Sequence, residues 1–253
     1  MPAESPALET SEDAVLGGRL RLRQPLRGHR VGHDAILLAA ATLALSGEHA
    51  VDLGAGVGAA GLALAVRVDG LKVTLVEIDP ELCALAAGNA RLNRFDDRVT
   101  ALVADASDVA GLAAGSVDRV LMNPPFNDAA RQNVSPDPRR KLAHVAAADT
   151  LPRWIGGAAH LLKAGGTLTM IWRADALDDV LAALASGFGA LVVLPVHPRS
   201  GATAIRVLIR AVKGGSAPPQ FYPGLDLNGA DGRPTPAAEA ILRGGETLPI
   251  AKS

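Results

Sequence analysis

Asn123-Pro124-Pro125-Phe126 is the stretch of this chain best suited to chemistry. A planar NH2 group is fixed by two in-plane acceptors. The side-chain oxygen of Asn123 and the backbone carbonyl of Pro124 can supply them. Two prolines stiffen the turn and set the carbonyl direction. Phe126 offers a flat face for stacking a base, worth about 1–3 kcal/mol. An amine held this way has its lone pair aimed before reaction. The plainer alternative is a Pro-Pro turn with a core Phe.

A second constellation precedes it. Asp52-Leu53-Gly54-Ala55-Gly56-Val57-Gly58 is glycine-rich, and Glu77 follows Gly54 by twenty-three residues. Gly54, Gly56 and Gly58 let the backbone turn sharply and approach a ligand. A carboxylate at Glu77 can accept both ribose hydroxyls of a nucleoside. Asp105, next to Ala106, can accept the exocyclic amine of an adenine. Gly54-x-Gly56-x-x-Ala59 also fits a dinucleotide fingerprint. Asp52 separates the two cofactors. A carboxylate beside the turn repels a pyrophosphate but suits the ammonium and sulfonium of S-adenosylmethionine. The alternatives are that Asp52 caps its own turn and Asp105 a helix.

These residues need a sheet edge to meet on. Short apolar strands are expected at 50–53, 72–78, 99–104, 117–122, 167–172, 190–196 and 204–210, alternating with helices at 34–45, 59–68, 80–93, 147–162 and 176–186. Asp34 and Asp79 are placed as N-caps. Alternation argues a mainly parallel α/β sheet covered on both faces. The last two strands are joined by only about seven residues, too few for a helical crossover, so they should pair antiparallel. Residues 17–31 read as a small hairpin, Gly165-Gly166 as a turn, and residues 127–140 as a polar loop. Residues 213–236 carry five Gly and five Pro and are expected to form no regular element. The expected organisation is a disordered leader at 1–13, one domain at 14–212 with the hairpin and first helix as a lid, and an extension at 213–253 packed on it.

Composition excludes several classes. The 253 residues are 49% hydrophobic with net charge −1, so a packed core is expected and a whole-molecule basic field is not. Cys83 stands alone, which excludes a disulfide framework or a Cys-based zinc site. None of the six histidines pairs with a carboxylate at ligand spacing, so no metal is expected. The longest apolar run, 35–45, is too short for a bilayer, and the acidic start is no signal peptide. A soluble cytoplasmic protein is the expectation.

The order and spacing of Asp52–Gly58, Glu77, Asp105 and Asn123–Phe126 resemble the class I S-adenosylmethionine-dependent methyltransferases of the small-domain type, over roughly residues 30–210. The resemblance implies a seven-stranded Rossmann-like sheet with helices on both faces. It also implies transfer of a methyl group to an amino group of adenine, cytosine, guanine or glutamine amide. Arg30-Val31-Gly32-His33-Asp34-Ala35-Ile36-Leu37-Leu38 is similar to the bacterial tRNA (valine, adenine-N6)-methyltransferases, where this segment closes over the cofactor. His33 and Asp34 are therefore expected at the cofactor, although the family pattern has Thr at position 33. The substrate implied is an adenosine beside a tRNA anticodon. A target in such a loop is already partly unpaired. Local basic patches at Arg19, Arg21, Arg23 and Arg30, and at Arg139, Arg140 and Lys141, are the expected phosphate contacts. The alternatives are a release-factor glutamine methyltransferase, an rRNA or DNA base methyltransferase, and a cofactor- or RNA-binding partner without turnover.

Overall fold

The computed structural model describes residues 8–27, 30–109, 111–125 and 138–251, with the backbone alone for 138–149. Phe126 lies outside the described residues, as do the side chains of Arg139, Arg140 and Lys141.

A hairpin opens the described chain: β1 (Thr10–Val15) pairs antiparallel with β2 (Leu20–Pro25). It starts earlier than the sequence suggests, so residues 10–13 are strand rather than leader. The reason is electrostatic. Glu12 and Asp13 lie opposite Arg23 and Leu22, and their carboxylates meet arginines of the second strand and the segment after it. The helix α1 (His33–Ala41) follows. Its N-cap is Gly32, with Asp34 two residues on in the first turn, where it is drawn to Arg206 instead of to its own backbone.

The main sheet is built from β3 (His49–Leu53), β4 (Lys72–Glu77), β5 (Val99–Val103), β6 (Val117–Met122), β7 (Leu162–Arg173), β8 (Phe188–His197) and β9 (Arg206–Lys213). They lie in the order β5-β4-β3-β6-β7-β9-β8. The first five are parallel, and β9 is antiparallel to both neighbours. The seven expected strands and the antiparallel final pair are thus present. Gly165-Gly166 falls inside β7, where the register with β6 shifts.

The helices α2 (Ala59–Arg67) and α3 (Pro80–Leu92) pack with α1 and the hairpin on one face. The opposite face is covered by α4 (Pro138–Leu161) and α5 (Leu177–Leu184). Two buried cores result, each from alternate residues of the strands: Leu121 and Ile171 face one way, Val120 and Met170 the other. Asp79 caps α3 as expected, accepting from the N–H groups of Glu81 and Leu82.

The Gly/Pro-rich tail does form elements, contrary to expectation. β10 (Gln220–Phe221) and β11 (Leu225–Asp226) each add two parallel residues to β8, and α6 (Pro236–Leu242) packs against α1. Ile241, Leu248 and Ile250 join the hairpin-side core. Pairs this short fit between the glycines and prolines, which interrupt a longer strand but not a two-residue one.

Two asparagines of α3 hold the hairpin. Asn89 accepts from the Arg23 N–H at 2.7 Å and donates to the Arg23 carbonyl at 2.9 Å. One turn on, Asn93 does the same for Arg21, at 2.9 and 2.7 Å. Two amides on one helix face thus act as a strand edge for β2. Fully buried Asn89 also donates to the Val57 carbonyl, which ties the hairpin to the glycine turn.

Candidate active site

Parallel strands end their backbone carbonyls and loops along one edge, and ligands of open α/β sheets collect there. Here that edge carries a cavity of about 500 Å3 outside the ends of β3, β4, β5 and β6. Gly54, Glu77, Asp105, Ala106, Asn123 and Pro124 all line it, together with Pro125. Residues spread over seventy positions of sequence are brought together because their strands are neighbours.

Glu77 is 8% exposed, and its carboxylate is fixed by two backbone donors. The Gly56 N–H lies 2.7 Å from Oε2, and the Asp79 N–H 3.0 Å from Oε1. A carboxylate has about four acceptor sites, so two bonds leave capacity for ribose hydroxyls. Asp105 is oriented by the Ser107 N–H and hydroxyl, both at 2.7 Å from Oδ1. Those bonds hold its carboxyl below the usual range, aided by Arg153.

The side-chain oxygen of Asn123 is buried and has no hydrogen-bond partner among the described residues. Burying an acceptor unpaired costs about 1–3 kcal/mol. Such a cost is tolerated where a ligand's donor completes the bond. Pro124 follows in the same turn, and both residues line the cavity.

Asp52 is placed differently from the expectation that it faces the cofactor. It is 2% exposed, does not line the cavity, and accepts from the Gly61 N–H at 2.8 Å. Gly58, the N-cap of α2, has no side chain to offer, and Asp52 on the neighbouring strand serves that helix end instead. Burial pushes its carboxyl up to about 7; the Gly61 bond opposes this, and the Glu77 charge adds to it. Gly56 and Gly58 shape the turn at φ values of 56° and 88°.

His33 and Asp34 also lie away from this cavity. His33 lines a separate cleft of about 660 Å3 between the hairpin, α1 and the C-terminal extension. Asp34 is paired with Arg206 at 3.0 Å. The hairpin arginines are engaged within the chain. Arg21 and Arg23 pair with Glu12, Arg30 with Asp13 at 2.6 Å, and Arg19 donates to the Gly244 carbonyl. The larger cleft has no contact with the Asn123 turn among its lining residues, so the smaller one is the candidate site.

Four lining residues went unnoticed as site residues in the sequence: Ile78, Ala104, Thr150 and Trp154. Ile78 is 64% exposed, an apolar side chain left at the cavity mouth. Thr150 and Trp154 are four apart on α4 and so share a helix face. That spacing was readable; which edge of the sheet the helix meets was not. Gly157 lets α4 come this close, because a Cβ there would stand 2.4 Å from the Ala106 carbonyl oxygen. Among the described residues no group of three or more His, Cys, Asp or Glu could hold a metal ion, and no helix is long and apolar enough to cross a membrane.

The glycine turn, the two carboxylates and the unpaired amide oxygen together fit a nucleoside carrying a group that reacts at Asn123. Comparison with known proteins agrees. The model of the methyltransferase small domain matches residues 33–195. A tRNA1(Val) (adenine(37)-N6)-methyltransferase of Porphyromonas gingivalis strain W83 is 32% identical over 158 residues, covering 60% of this chain and 61% of that relative. One from Bacteroides thetaiotaomicron is 29% identical over 183 residues, covering 71% and 75%. The chain thus spans about three fifths of the length of the first of these relatives. Among solved structures, a predicted O-methyltransferase from Agrobacterium tumefaciens superposes with a TM-score of 0.72 at 30% identity, covering 85% of this chain and 98% of that one. The chain belongs to the methyltransferase small-domain family.

Proposed function

We propose that this enzyme methylates the N6 amine of an adenine in a tRNA anticodon loop. The observation that carries the reading is the buried, unpartnered Oδ1 of Asn123 beside Pro124 on the cavity wall. A planar amine donates one N–H to that oxygen and the other to the Pro124 carbonyl. Its lone pair is then free of both bonds and directed into the cavity. Bound S-adenosylmethionine supplies an electrophilic methyl group on a sulfonium. The residues of this chain need to orient the nucleophile and hold the charge that develops on nitrogen, and two oxygen acceptors do both. The nitrogen's extra proton leaves to water after the N–C bond forms. Glu77 and Asp105 hold the nucleoside end of the cofactor.

A hydroxyl acceptor is less well served. A hydroxyl gains from a base that removes its single proton. The carboxylates lining the cavity, Glu77 and Asp105, are already fixed by backbone and serine donors away from the Asn123 turn. The tRNA itself is favoured by the relatives' names and by the segment from Arg30 to Leu38.

The test incubates the protein with labelled S-adenosylmethionine and separate pools of unmodified tRNA, rRNA, DNA and release factor, followed by nucleoside or peptide analysis. Label recovered as N6-methyladenosine in tRNA supports the reading. Label confined to glutamine, to a ribose hydroxyl or to another nucleic acid overturns the substrate.

A further inference from the structure

Among the described residues, Trp154 is the one aromatic lining the cavity. Its ring presses on the glycine turn: an ideal Cβ on Gly54 would stand 2.3 Å from Cη2 and 2.7 Å from Cζ3. Gly54 has a φ of +69°, so its position also favours the absence of a side chain. The glycine and the indole are therefore fitted to each other, and the ring forms the part of the cavity wall that meets the turn.

That wall matters because of where the acids lie. S-adenosylmethionine carries a positive sulfonium next to the methyl it gives up, and the methyl must reach an amine held at Asn123. Asp52, the acid nearest the turn in sequence, is sealed behind it and committed to Gly61. Glu77 and Asp105 sit at the ends of β4 and beyond β5, toward the nucleoside end. On the side of Gly54 and Asn123 no lining residue among those described is a carboxylate. With the Asn123 and Pro124 oxygens taken up by the amine, the negative face of an indole is a further source of favourable potential for a cation there, and Trp is the strongest of the aromatic side chains in this respect.

We propose that Trp154 binds the sulfonium charge through its π face, so that this enzyme distinguishes S-adenosylmethionine from its neutral product, S-adenosylhomocysteine, by an aromatic wall and not by a carboxylate. An apolar wall alone would grip both ligands equally. A cation–π wall holds the charged one more tightly and loosens when the methyl group and the charge depart together. The inference concerns the cofactor and holds whichever amine is methylated.

The test is calorimetric binding of both ligands to the intact protein without nucleic acid. Trp154→Leu is expected to weaken S-adenosylmethionine about 2- to 30-fold more than S-adenosylhomocysteine, the span that an exposed to a desolvated cation–π contact corresponds to. Trp154→Phe should retain part of the preference. Should Trp154→Leu fail to fold, biosynthetic replacement of tryptophan by its fluorinated analogues leaves the shape in place while weakening the π face. Trp172, the second tryptophan, does not line this cavity. Under the proposal, affinity for S-adenosylmethionine falls stepwise with the number of fluorines while that for S-adenosylhomocysteine stays level. Equal losses for both ligands, or no loss for either, would overturn it.

Discussion

The cavity at the ends of β3–β6 and the arginine face of the hairpin were both candidates for function, and they differ in one physical respect. In the cavity a buried acceptor, Asn123 Oδ1, has no partner among the described residues. On the hairpin, Arg21, Arg23 and Arg30 have carboxylates within the same hairpin or beside it, and Arg19 has a carbonyl. Unsatisfied polarity that lines a cavity offers a ligand's donor a bond to complete. Charges already answered locally explain instead how the hairpin holds its shape. A run of arginines without intervening acids is therefore a weaker sign of nucleic-acid contact than it looks, since strand pairing brings in acids from a distance in sequence.

The sharpest way to break this contrast is at the cavity. Asn123→Ala removes an acceptor that positions the amine, and should lower methyl transfer by at least about 10²-fold, the scale seen when one preorganised polar group is lost from an active site. Calorimetric binding of S-adenosylmethionine should stay within a few-fold of the parent. A variant that still turns over at the parent rate would remove the catalytic role of the turn.

Next in size is Asn89→Ala. It strips the partners from the Arg23 N–H and carbonyl and from the Val57 carbonyl, and should cost about 1–3 kcal/mol of unfolding free energy in urea titrations. Because Val57 lies in the glycine turn, cofactor affinity should fall as well. A loss of stability with unchanged affinity would show that the hairpin and the turn are not coupled.

Asp52 provides a pH test. Burial raises its folded-state pKa to about 7, above the ordinary carboxylate value. The folded state therefore keeps a proton that the unfolded chain has released. Its contribution is full below the unfolded value and is lost as pH rises through about 7. Asp52→Asn keeps an acceptor for the Gly61 N–H without the ionisation. In urea midpoints, the parent should lose ground to the variant between about pH 4 and pH 8. Parallel profiles would mean that Asp52 is not held protonated.

The smallest effect is expected on the hairpin. Arg21→Gln and Arg23→Gln should change stability by under about 0.5 kcal/mol, as exposed ion pairs usually do. With Glu12 shared between them, each should also lower the salt dependence of tRNA binding by less than the roughly one unit expected for a free phosphate contact. A full unit per arginine would restore this face as a principal RNA contact and blur the contrast.

Much of this was legible in the sequence. The glycine turn, Glu77, Asp105 and the Asn-Pro-Pro turn were readable because each sits at a fixed offset from the end of a short apolar strand, and alternation of strands with helices forces those ends to one edge. The antiparallel closing pair followed from a seven-residue link. Local patterns of this kind are set by backbone sterics and hydrophobic period, which act over a few residues. Four matters needed the folded chain. Asp52 turned inward because α2 lacks its own cap. Trp154 reached Gly54 because Gly157 lets α4 lie against Ala106. Two-residue strands in the Gly/Pro-rich tail exist only because β8 offers them an edge. The hairpin arginines met their acids across the strand pair, and the asparagines of α3 met β2 across about seventy residues of chain. Which partner a polar side chain takes is decided by what packing leaves within hydrogen-bond reach, and spacing along the chain does not carry that distance.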